Sequence, residues 1–181
     1  MEIPAAYAAT LAHVRGAFPG AMIAGGALRD LDNGRPVKDV DIFAPYAGNS
    51  YEEAQARLVA LPPSHTMLGS MGGYENWATG EVVAVFDYRA PELDYQLIML
   101  STGPETILPR LDFGICQIAY DGVGVERSAA YDQDKANQTF TLVRSDDAAQ
   151  WDRSVRRFQR LSEKYPGWHF VDPREKPFLL S

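Results

Sequence analysis

Two acidic residues, Asp39 and Asp41, are separated by one apolar residue in a segment with the pattern of a β-strand. Because side chains alternate between faces along a strand, both carboxylates are expected on the same face. Each would disfavour ionisation of the other, and a divalent cation held between carboxylates and substrate phosphates would relieve that repulsion. The alternative is a solvated strand end with Lys38 as ionic partner, which is the commoner explanation of an isolated pair at this spacing.

A glycine pair, Gly25 and Gly26, precedes the acidic pair in the chain. It stands between a short apolar run at residues 21–24 and a helix predicted from Ala27. Glycines at such a turn let backbone N–H groups approach a polyphosphate, and the start of the helix adds partial positive charge. Turn geometry alone also explains a glycine pair, so the phosphate interpretation depends on the acidic residues nearby.

The elements that would position these residues follow from hydrophobic spacing and capping signals. Helices are predicted at residues 4–18 (with Pro4 in the first turn), 27–33 (stopped by Gly34), 50–61 (with Ser50 and Glu53 as a capping box) and about 146–165 (with Ser145 as N-cap). Strands are predicted at residues 21–24, 40–43, 82–88 and 95–100, whereas residues 115–120 fit a helix or a strand. This mixed order predicts one α/β (α+β) domain over residues 1–181, with a small mixed central sheet flanked by helices and a short C-terminal tail.

Composition narrows the classes of function. The formal net charge is −7, with no basic block, which counts against extensive duplex or tRNA binding because phosphate neutralisation dominates such affinity. The single Cys116 excludes an internal disulfide and a cysteine-cluster metal site. With no secretory leader pattern and no apolar run of transmembrane length, we expect a cytoplasmic protein outside the membrane, in the host cytoplasm if a phage encodes it.

Read together, residues 25–43 form the segment GGALRDLDNGRPVKDVDIF. It resembles the head domain of the tRNA CCA-adding enzyme and bacterial poly(A) polymerase family, within the DNA polymerase β superfamily of nucleotidyltransferases. The matching positions are Gly25, Gly26, Arg29, Asp30, Gly34, Arg35, Lys38, Asp39, Asp41 and Ile42. A second segment, RLDFGICQIAYD, is similar to the family's Arg-Arg-Asp-Phe-Thr-Ile-Asn-Ala motif. It retains Arg110, Asp112, Phe113 and Ile115, with Leu111 and Cys116 in place of an arginine and an asparagine.

The resemblance implies a nucleotidyltransferase fold and transfer of a nucleoside monophosphate from a nucleoside triphosphate, with ATP expected, to a hydroxyl. Asp39 and Asp41 would hold two Mg²⁺ or Mn²⁺ ions that stabilise both oxygens of an in-line displacement. The other residues of the predicted nucleotide-binding set are Gly25 and Gly26 at the β- and γ-phosphates, Arg29 and Lys38 beside them, Arg110 at the triphosphate or base, and Asp112. Asp112 would orient Arg110 or read a base edge; a local surface ion pair between these two residues is the alternative.

A third carboxylate on a neighbouring strand normally completes two-metal transfer. The segment ELDYQLIML offers two positions that share one face of a strand, Asp94 and Gln96. Asp94 is the predicted third metal ligand and catalytic residue, provided that the strand begins there. If Gln96 holds the place, its neutral amide binds metal more weakly, and a nucleotide- or metal-binding module without turnover becomes the alternative function.

The acceptor of the nucleotide is left open between an RNA 3′ end, a small molecule and a protein side chain. Little sequence follows the predicted C-terminal helix, and Leu111 and Cys116 depart from the family motif, so full CCA addition is not expected. The arginines of that helix are either a solvated face or a strip that faces phosphate or RNA; they are Arg153, Arg156, Arg157 and Arg160. Three aromatic residues could stack on a base, although such residues more often pack in the protein: Tyr74, Trp77 and Tyr88.

Overall fold

The computed structural model describes residues 1–46, 48, 50–72 and 81–174. The helices are α1 (Ala5–Ala17), α2 (Gly26–Asp32), α3 (Tyr51–Arg57), α4 (Ala129–Asn137) and α5 (Ala148–Ser162). The strands are β1 (Met22–Ala24), β2 (Asp41–Pro45), β3 (Thr66–Gly72), β4 (Val82–Arg89), β5 (Asp94–Leu100), β6 (Ile118–Tyr120), β7 (Val125–Arg127), β8 (Thr139–Thr141) and β9 (His169–Val171). Within these described ranges, no helix combines the length and the apolar character that crossing a membrane requires.

Seven strands form one mixed sheet in the order β3-β4-β5-β2-β1-β6-β7, and β8 and β9 form a separate parallel pair. Within the large sheet β2 and β5 are parallel, while the other neighbours are antiparallel. The predicted α/β class, with a mixed central sheet flanked by helices, is confirmed. Because parallel strands start at the same edge of a sheet, the polar residues at the beginnings of β2 and β5 lie side by side.

The helix ends show how local chemistry sets the elements. Ser50 Oγ accepts a hydrogen bond from the backbone N–H of Glu53 at 3.1 Å, so the predicted cap of α3 is confirmed. The predicted cap of α5, Ser145, is wrong. Asp147 caps that helix by accepting from the backbone N–H of Gln150 at 2.7 Å, and a carboxylate at this place also complements the positive end of the helix.

Several elements differ from the prediction. For residues 115–120 the prediction left helix or strand open. The structure has a 3-10 turn at Gly114–Cys116, followed by the strand β6. The strand β2 begins at Asp41, and Asp39 therefore precedes it. The elements β3, β7, α4, β8 and β9 were not predicted, because their residues show neither a clear period of two nor an apolar helical stripe and their pairing partners define them.

A cluster of aromatic rings holds α5 against the rest of the protein. Phe140 of β8 lies at its centre, with ring centroids of Phe113 at 5.5 Å, Phe158 at 5.5 Å, Tyr165 at 5.3 Å and Trp168 at 5.5 Å. Most of these contacts are edge-to-face, the arrangement that aromatic quadrupoles favour. The cluster belongs to the same buried core as the large sheet, and it fixes where the arginines of α5 stand.

The turn at Gly114–Cys116 is held by Asp134, a buried residue of α4. Asp134 Oδ2 accepts from the backbone N–H groups of Ile115 at 2.7 Å and Thr141 at 3.0 Å. A Cβ atom at Gly114 would lie 2.7 Å from that same oxygen and 2.9 Å from the carbonyl oxygen of Ala130. The position therefore requires glycine, since the carboxylate and the helix backbone leave no room for a side chain.

Gly114→Ala is expected to lower the free energy of unfolding by about 1–3 kcal/mol, because the added methyl must displace Asp134 or the backbone of α4. Chemical denaturation measures the change. Gly124→Ala is the matched control, since a Cβ there meets nothing within 4 Å, and it should change stability by less than about 0.5 kcal/mol. Equal effects of the two substitutions would contradict the tight packing assigned to Gly114.

Candidate functional site

The glycine turn begins beside Asp41. In the antiparallel pair of β1 and β2, Ile23 is opposite Ile42, so one further step brings Ala24 opposite Asp41. Gly25 follows directly with a φ of 79°, a conformation that side chains disfavour, and its N–H donates to the carbonyl of Ile118 at 2.9 Å. Adjacent strands are about 4.8 Å apart, so the glycine turn starts one residue beyond the backbone position that neighbours Asp41.

The two acids of the predicted metal pair differ in environment. The side chain of Asp39 is 65% exposed, and Lys38 Nζ lies 3.4 Å from its carboxylate. This contact is the one expected from the alternative interpretation, a solvated strand end with Lys38 as ionic partner. Asp41 is partly buried at the start of β2 and makes no salt bridge with any described residue. Burial raises the pKa of Asp41 to about 6; the positive charge of Arg157 opposes this shift, Asp39 adds to it and Arg29 opposes it.

The parallel pairing of β2 with β5 decides which residue stands opposite Asp41. The register places Gln96 there, and the N–H of Gln96 donates to the carbonyl of Val40 at 2.8 Å. Asp94, the predicted third metal ligand, begins β5, as that assignment required, but it lies two residues before Gln96 and so is not opposite Asp41. Its carboxylate is 3.5 Å from Arg89 Nε and 59% exposed, so metal binding by Asp94 stays a prediction.

Arg110 lies on the same side of the sheet as Asp41. Its guanidinium is 5.8 Å from the ring centroid of Phe43, which shares the face of Asp41 because the two are separated by one residue on β2. The side chain is 4% exposed, and its NH2 atom is 3.6 Å from Glu81 Oε2. Burial lowers the pKa of Arg110 and Glu81 opposes that shift, so the guanidinium remains a cation inside the site.

Asp112 directs its carboxylate to α5. One oxygen accepts from Ser154 Oγ at 2.8 Å and the other from Arg157 NH1 at 2.8 Å. Asp112 was predicted to orient Arg110, but its two hydrogen bonds are to residues of α5. They join the second motif to this C-terminal helix. Base reading by Asp112 stays a prediction.

Arg157 is the arginine of α5 that reaches the acidic site. Asp112 raises the pKa of Arg157, against the effect of burial, and the charge of Arg157 in turn acts on Asp41. The other three arginines of the predicted strip are exposed: Arg153, Arg156 and Arg160. The sequence did not single out Arg157, although its spacing of three residues from Ser154 places the two on one helical face.

Arg29 has a supporting position beneath the glycine turn. Its side chain is 4% exposed, and its Nε and NH2 atoms donate to Asp30 Oδ1 at 2.8 and 2.7 Å. A further donor, NH1, lies 3.3 Å from Cys116 Sγ. Although burial opposes it, the neighbouring Cys116, Asp30 and Tyr165 raise the pKa of Arg29. A direct contact of Arg29 with nucleotide stays a prediction, whereas its contacts stabilise the turn that carries Gly26.

The remaining candidates are placed as follows. Tyr88 is buried and stacks on Tyr95 with ring centroids 5.4 Å apart, so it has the packing role. Tyr74 and Trp77 lie outside the described residues. Among the residues that the structure describes, no three His, Cys, Asp or Glu side chains converge as a metal site.

Comparison with known proteins shows what the fold is similar to. No protein-family model and no curated protein sequence matches the chain. The Bacillus stearothermophilus CCA-adding enzyme in complex with CTP superimposes with a TM-score of 0.58 at 19% identity, over 93% of this chain and 42% of that one. The Thermotoga maritima CCA-adding enzyme complexed with tRNA gives 0.57 at 17% identity, over 86% and 36%. A tRNA-processing enzyme in an apo form gives 0.56 at 17% identity, over 94% and 45%.

These similarities confirm the predicted nucleotidyltransferase fold and, at the level of the fold, the predicted resemblance to CCA-adding enzymes. The chain spans less than half the length of each of these three proteins.

Asp41→Asn is expected to stabilise the metal-free protein by about 1–2 kcal/mol near neutral pH, because it removes a partly buried charge that has no salt bridge. The folded-state pKa of about 6 exceeds that of an exposed aspartate. The folded protein therefore retains a proton that the unfolded chain loses between about pH 4 and pH 6. The destabilisation that the Asp41 charge causes grows between these pH values and is complete above them. Chemical denaturation should therefore show almost no difference in stability between Asp41→Asn and the parent protein below about pH 4. A stabilisation independent of pH would contradict this assignment.

Arg29→Met is expected to lower the free energy of unfolding by about 3 kcal/mol or more, because it leaves the buried Asp30 with fewer donors. Arg89→Met is the control, since it breaks only the exposed pair with Asp94 and should cost less than about 0.5 kcal/mol. Thermal and chemical unfolding measure both. An Arg29→Met protein of unchanged stability with weakened nucleotide binding would instead favour direct phosphate contact.

Proposed function

We propose that the chain is a nucleotidyltransferase, which moves a nucleoside monophosphate from a nucleoside triphosphate to a hydroxyl and releases pyrophosphate. The observation that carries the proposal is the position of Asp41. This partly buried carboxylate has no salt bridge with any described residue and stands between the glycine turn and the polar position of β5. A buried carboxylate is costly unless a partner neutralises it, and a ligand that brings a cation supplies the partner.

The donors around Asp41 fit Mg²⁺ or Mn²⁺. Asp39 and Asp41 offer hard carboxylate oxygens, and the third position falls to Asp94 or to the side-chain carbonyl of Gln96. When bound, the cations neutralise phosphate charge and lower the pKa of the acceptor hydroxyl. Asp39 and Asp41 would hold the cations, and Asp39 would give up its exposed contact with Lys38 to do so.

The surrounding cations and backbone suit a triphosphate. The backbone of Gly25 and Gly26 has no side chain to keep phosphate oxygens away from the edge of β1. Arg110, anchored over Phe43, extends positive charge along the face of β2. Arg157 supplies a second guanidinium close enough to act on Asp41. Lys38 and Asp112 complete the proposed set, Lys38 at the exposed rim and Asp112 as the anchor of Arg157.

We expect ATP as the nucleotide and an RNA 3′ hydroxyl as the acceptor. The solved proteins of similar fold are described in complex with CTP or tRNA, which supports a nucleotide and an RNA in general terms. The exposed arginines of α5 support the same choice, since Arg153, Arg156 and Arg160 continue outward along the helix that presents Arg157. A small-molecule hydroxyl or a protein side chain is the other outcome of an acceptor screen.

A module that binds nucleotide without turnover is the second candidate. The specific observation that favours it is the register of β5, which puts the neutral Gln96 opposite Asp41. A neutral third donor leaves one more positive charge on a bound cation than a carboxylate does. The cation then releases substrate oxygens less readily.

Pyrophosphate release is the direct test of turnover. The protein is incubated with Mg²⁺, each nucleoside triphosphate and a pool of short RNAs, and pyrophosphate and labelled RNA are measured. Asp41→Asn is expected to lower the rate by about a hundredfold or more, since it weakens the metal site on which the transfer depends. Asp132→Asn, which changes an exposed acid of α4, should retain the full rate.

Nucleotide binding separates the two candidates. If no acceptor yields pyrophosphate while ATP binds and Asp41→Asn abolishes that binding, the chain is the binding module. If Asp41→Asn changes neither turnover nor binding, both candidates are wrong.

A further inference from the structure

Asp87 and Gln96 form a hydrogen-bonded pair one strand away from the acidic site. In the large sheet Asp87 of β4 is opposite Gln96 of β5, which is opposite Asp41 of β2. Residues directly opposite one another across neighbouring strands share a face, so the three side chains form one row. Gln96 Nε2 donates to Asp87 Oδ1 at 2.9 Å, and both side chains are partly buried.

The chemistry of the pair fixes the orientation of the amide. A carboxylate accepts hydrogen bonds and donates none, so it selects the NH₂ end of the glutamine. The carbonyl oxygen is then the end of the amide that Asp87 leaves available to another partner. Asp41 of β2 and Asp87 of β4 stand opposite Gln96 on its two sides, so such a partner beside Asp41 is within the same row.

This row also accounts for a neutral residue at the third position. A glutamate at position 96 would bring its carboxylate against that of Asp87 at hydrogen-bonding distance, and like charges so close disfavour each other. An amide suits both Asp87 and a cation beside Asp41. Its NH₂ group donates to Asp87, and its carbonyl is a hard oxygen of the kind that binds Mg²⁺ and Mn²⁺.

We propose that the Gln96 side-chain carbonyl is the third donor of the cation site and that Asp87 is the positioning residue that orients it. The proposal rests on the proposed function, because it assigns a ligand of the same site. Asp87 contacts neither the cation nor the substrate; it acts through Gln96, as outer carboxylates act on metal-bound groups. Asp94 is then a residue at the start of β5 that pairs with Arg89.

Mn²⁺ binding to the full chain without nucleotide tests the proposal, with affinity measured by electron paramagnetic resonance or calorimetry. Gln96→Leu is expected to weaken Mn²⁺ binding about tenfold, because it removes the donor oxygen. Asp87→Asn is expected to weaken binding severalfold, because an asparagine accepts either end of the Gln96 amide and no longer enforces its orientation.

The double variant distinguishes positioning from simple loss of charge. If Asp87 acts through Gln96, then Asp87→Asn has no further effect in the Gln96→Leu background, since the group to be positioned is gone. An equal effect in both backgrounds means that the charge of Asp87 acts through space, and it overturns the positioning role. The exchanged pair, Asp87→Asn with Gln96→Glu, is expected to bind Mn²⁺ at least as tightly as the parent protein. It restores the hydrogen bond with donor and acceptor reversed.

Two reference variants separate this proposal from the proposed function. Asp41→Asn must weaken Mn²⁺ binding; if it does not, the metal half of the proposed function fails together with the inference. If Asp41→Asn weakens binding but Gln96→Leu does not, only the inference fails. A loss of affinity in Asp94→Asn with none in Gln96→Leu assigns the third position to Asp94. Far-UV circular dichroism and thermal unfolding of every variant confirm that the comparison is between folded proteins.

Discussion

The parallel pairing of β2 with β5 is the constraint on which the site depends. It brings the beginnings of two strands to one edge of the sheet and sets Gln96 level with Asp41. The neighbouring antiparallel pairs then add the glycine turn on one side and Asp87 on the other. The residues Asp41, Gln96 and Asp87 are thus positioned by the backbone hydrogen bonds between their strands, and the backbone is more rigid than the side chains. Residues held on strands in this way are positioned more precisely than residues on loops.

Two acids of the first motif, Asp30 and Asp41, differ in whether the protein itself neutralises their charge. Asp30 accepts hydrogen bonds from Arg29 and Tyr165 and is paired with Lys164, so its charge is satisfied within the protein. Asp41 makes no salt bridge with the described residues, and burial raises its pKa. The first arrangement stabilises the fold and ties α2 to the residues that follow α5, whereas the second leaves the charge of Asp41 without an ionic partner among the described residues. The motif therefore contains one acid whose charge is neutralised within the protein and one whose charge is not.

The helix α5 connects the two motifs across the molecule. The aromatic cluster around Phe140 holds it in place, and Asp112 of the second motif binds both Ser154 and Arg157 on it. The departures from the family motif are explained by the same packing. Cys116 is a buried acceptor for Arg29, and Leu111 lies against the glycine turn, where a Cβ at Gly25 would be 3.6 Å from its side chain. Leu111 and Cys116, which replace an arginine and an asparagine of the family motif, thus pack against Gly25 and Arg29.

The amino-acid sequence by itself determined the α/β class, the glycine turn, the spacing of Asp39 and Asp41, the helix α1 and the cap of α3. Each of these depends on neighbours within about one or two helical turns or on the two-residue period of a strand. Only the tertiary structure decided between Asp94 and Gln96 as the residue opposite Asp41, because both share one face and local periodicity cannot distinguish them. It likewise decided the partners of Asp87, Asp112 and Arg157, which are brought together from separate segments. Strand register and helix packing are long-range quantities, and a pattern of nearest neighbours does not contain them.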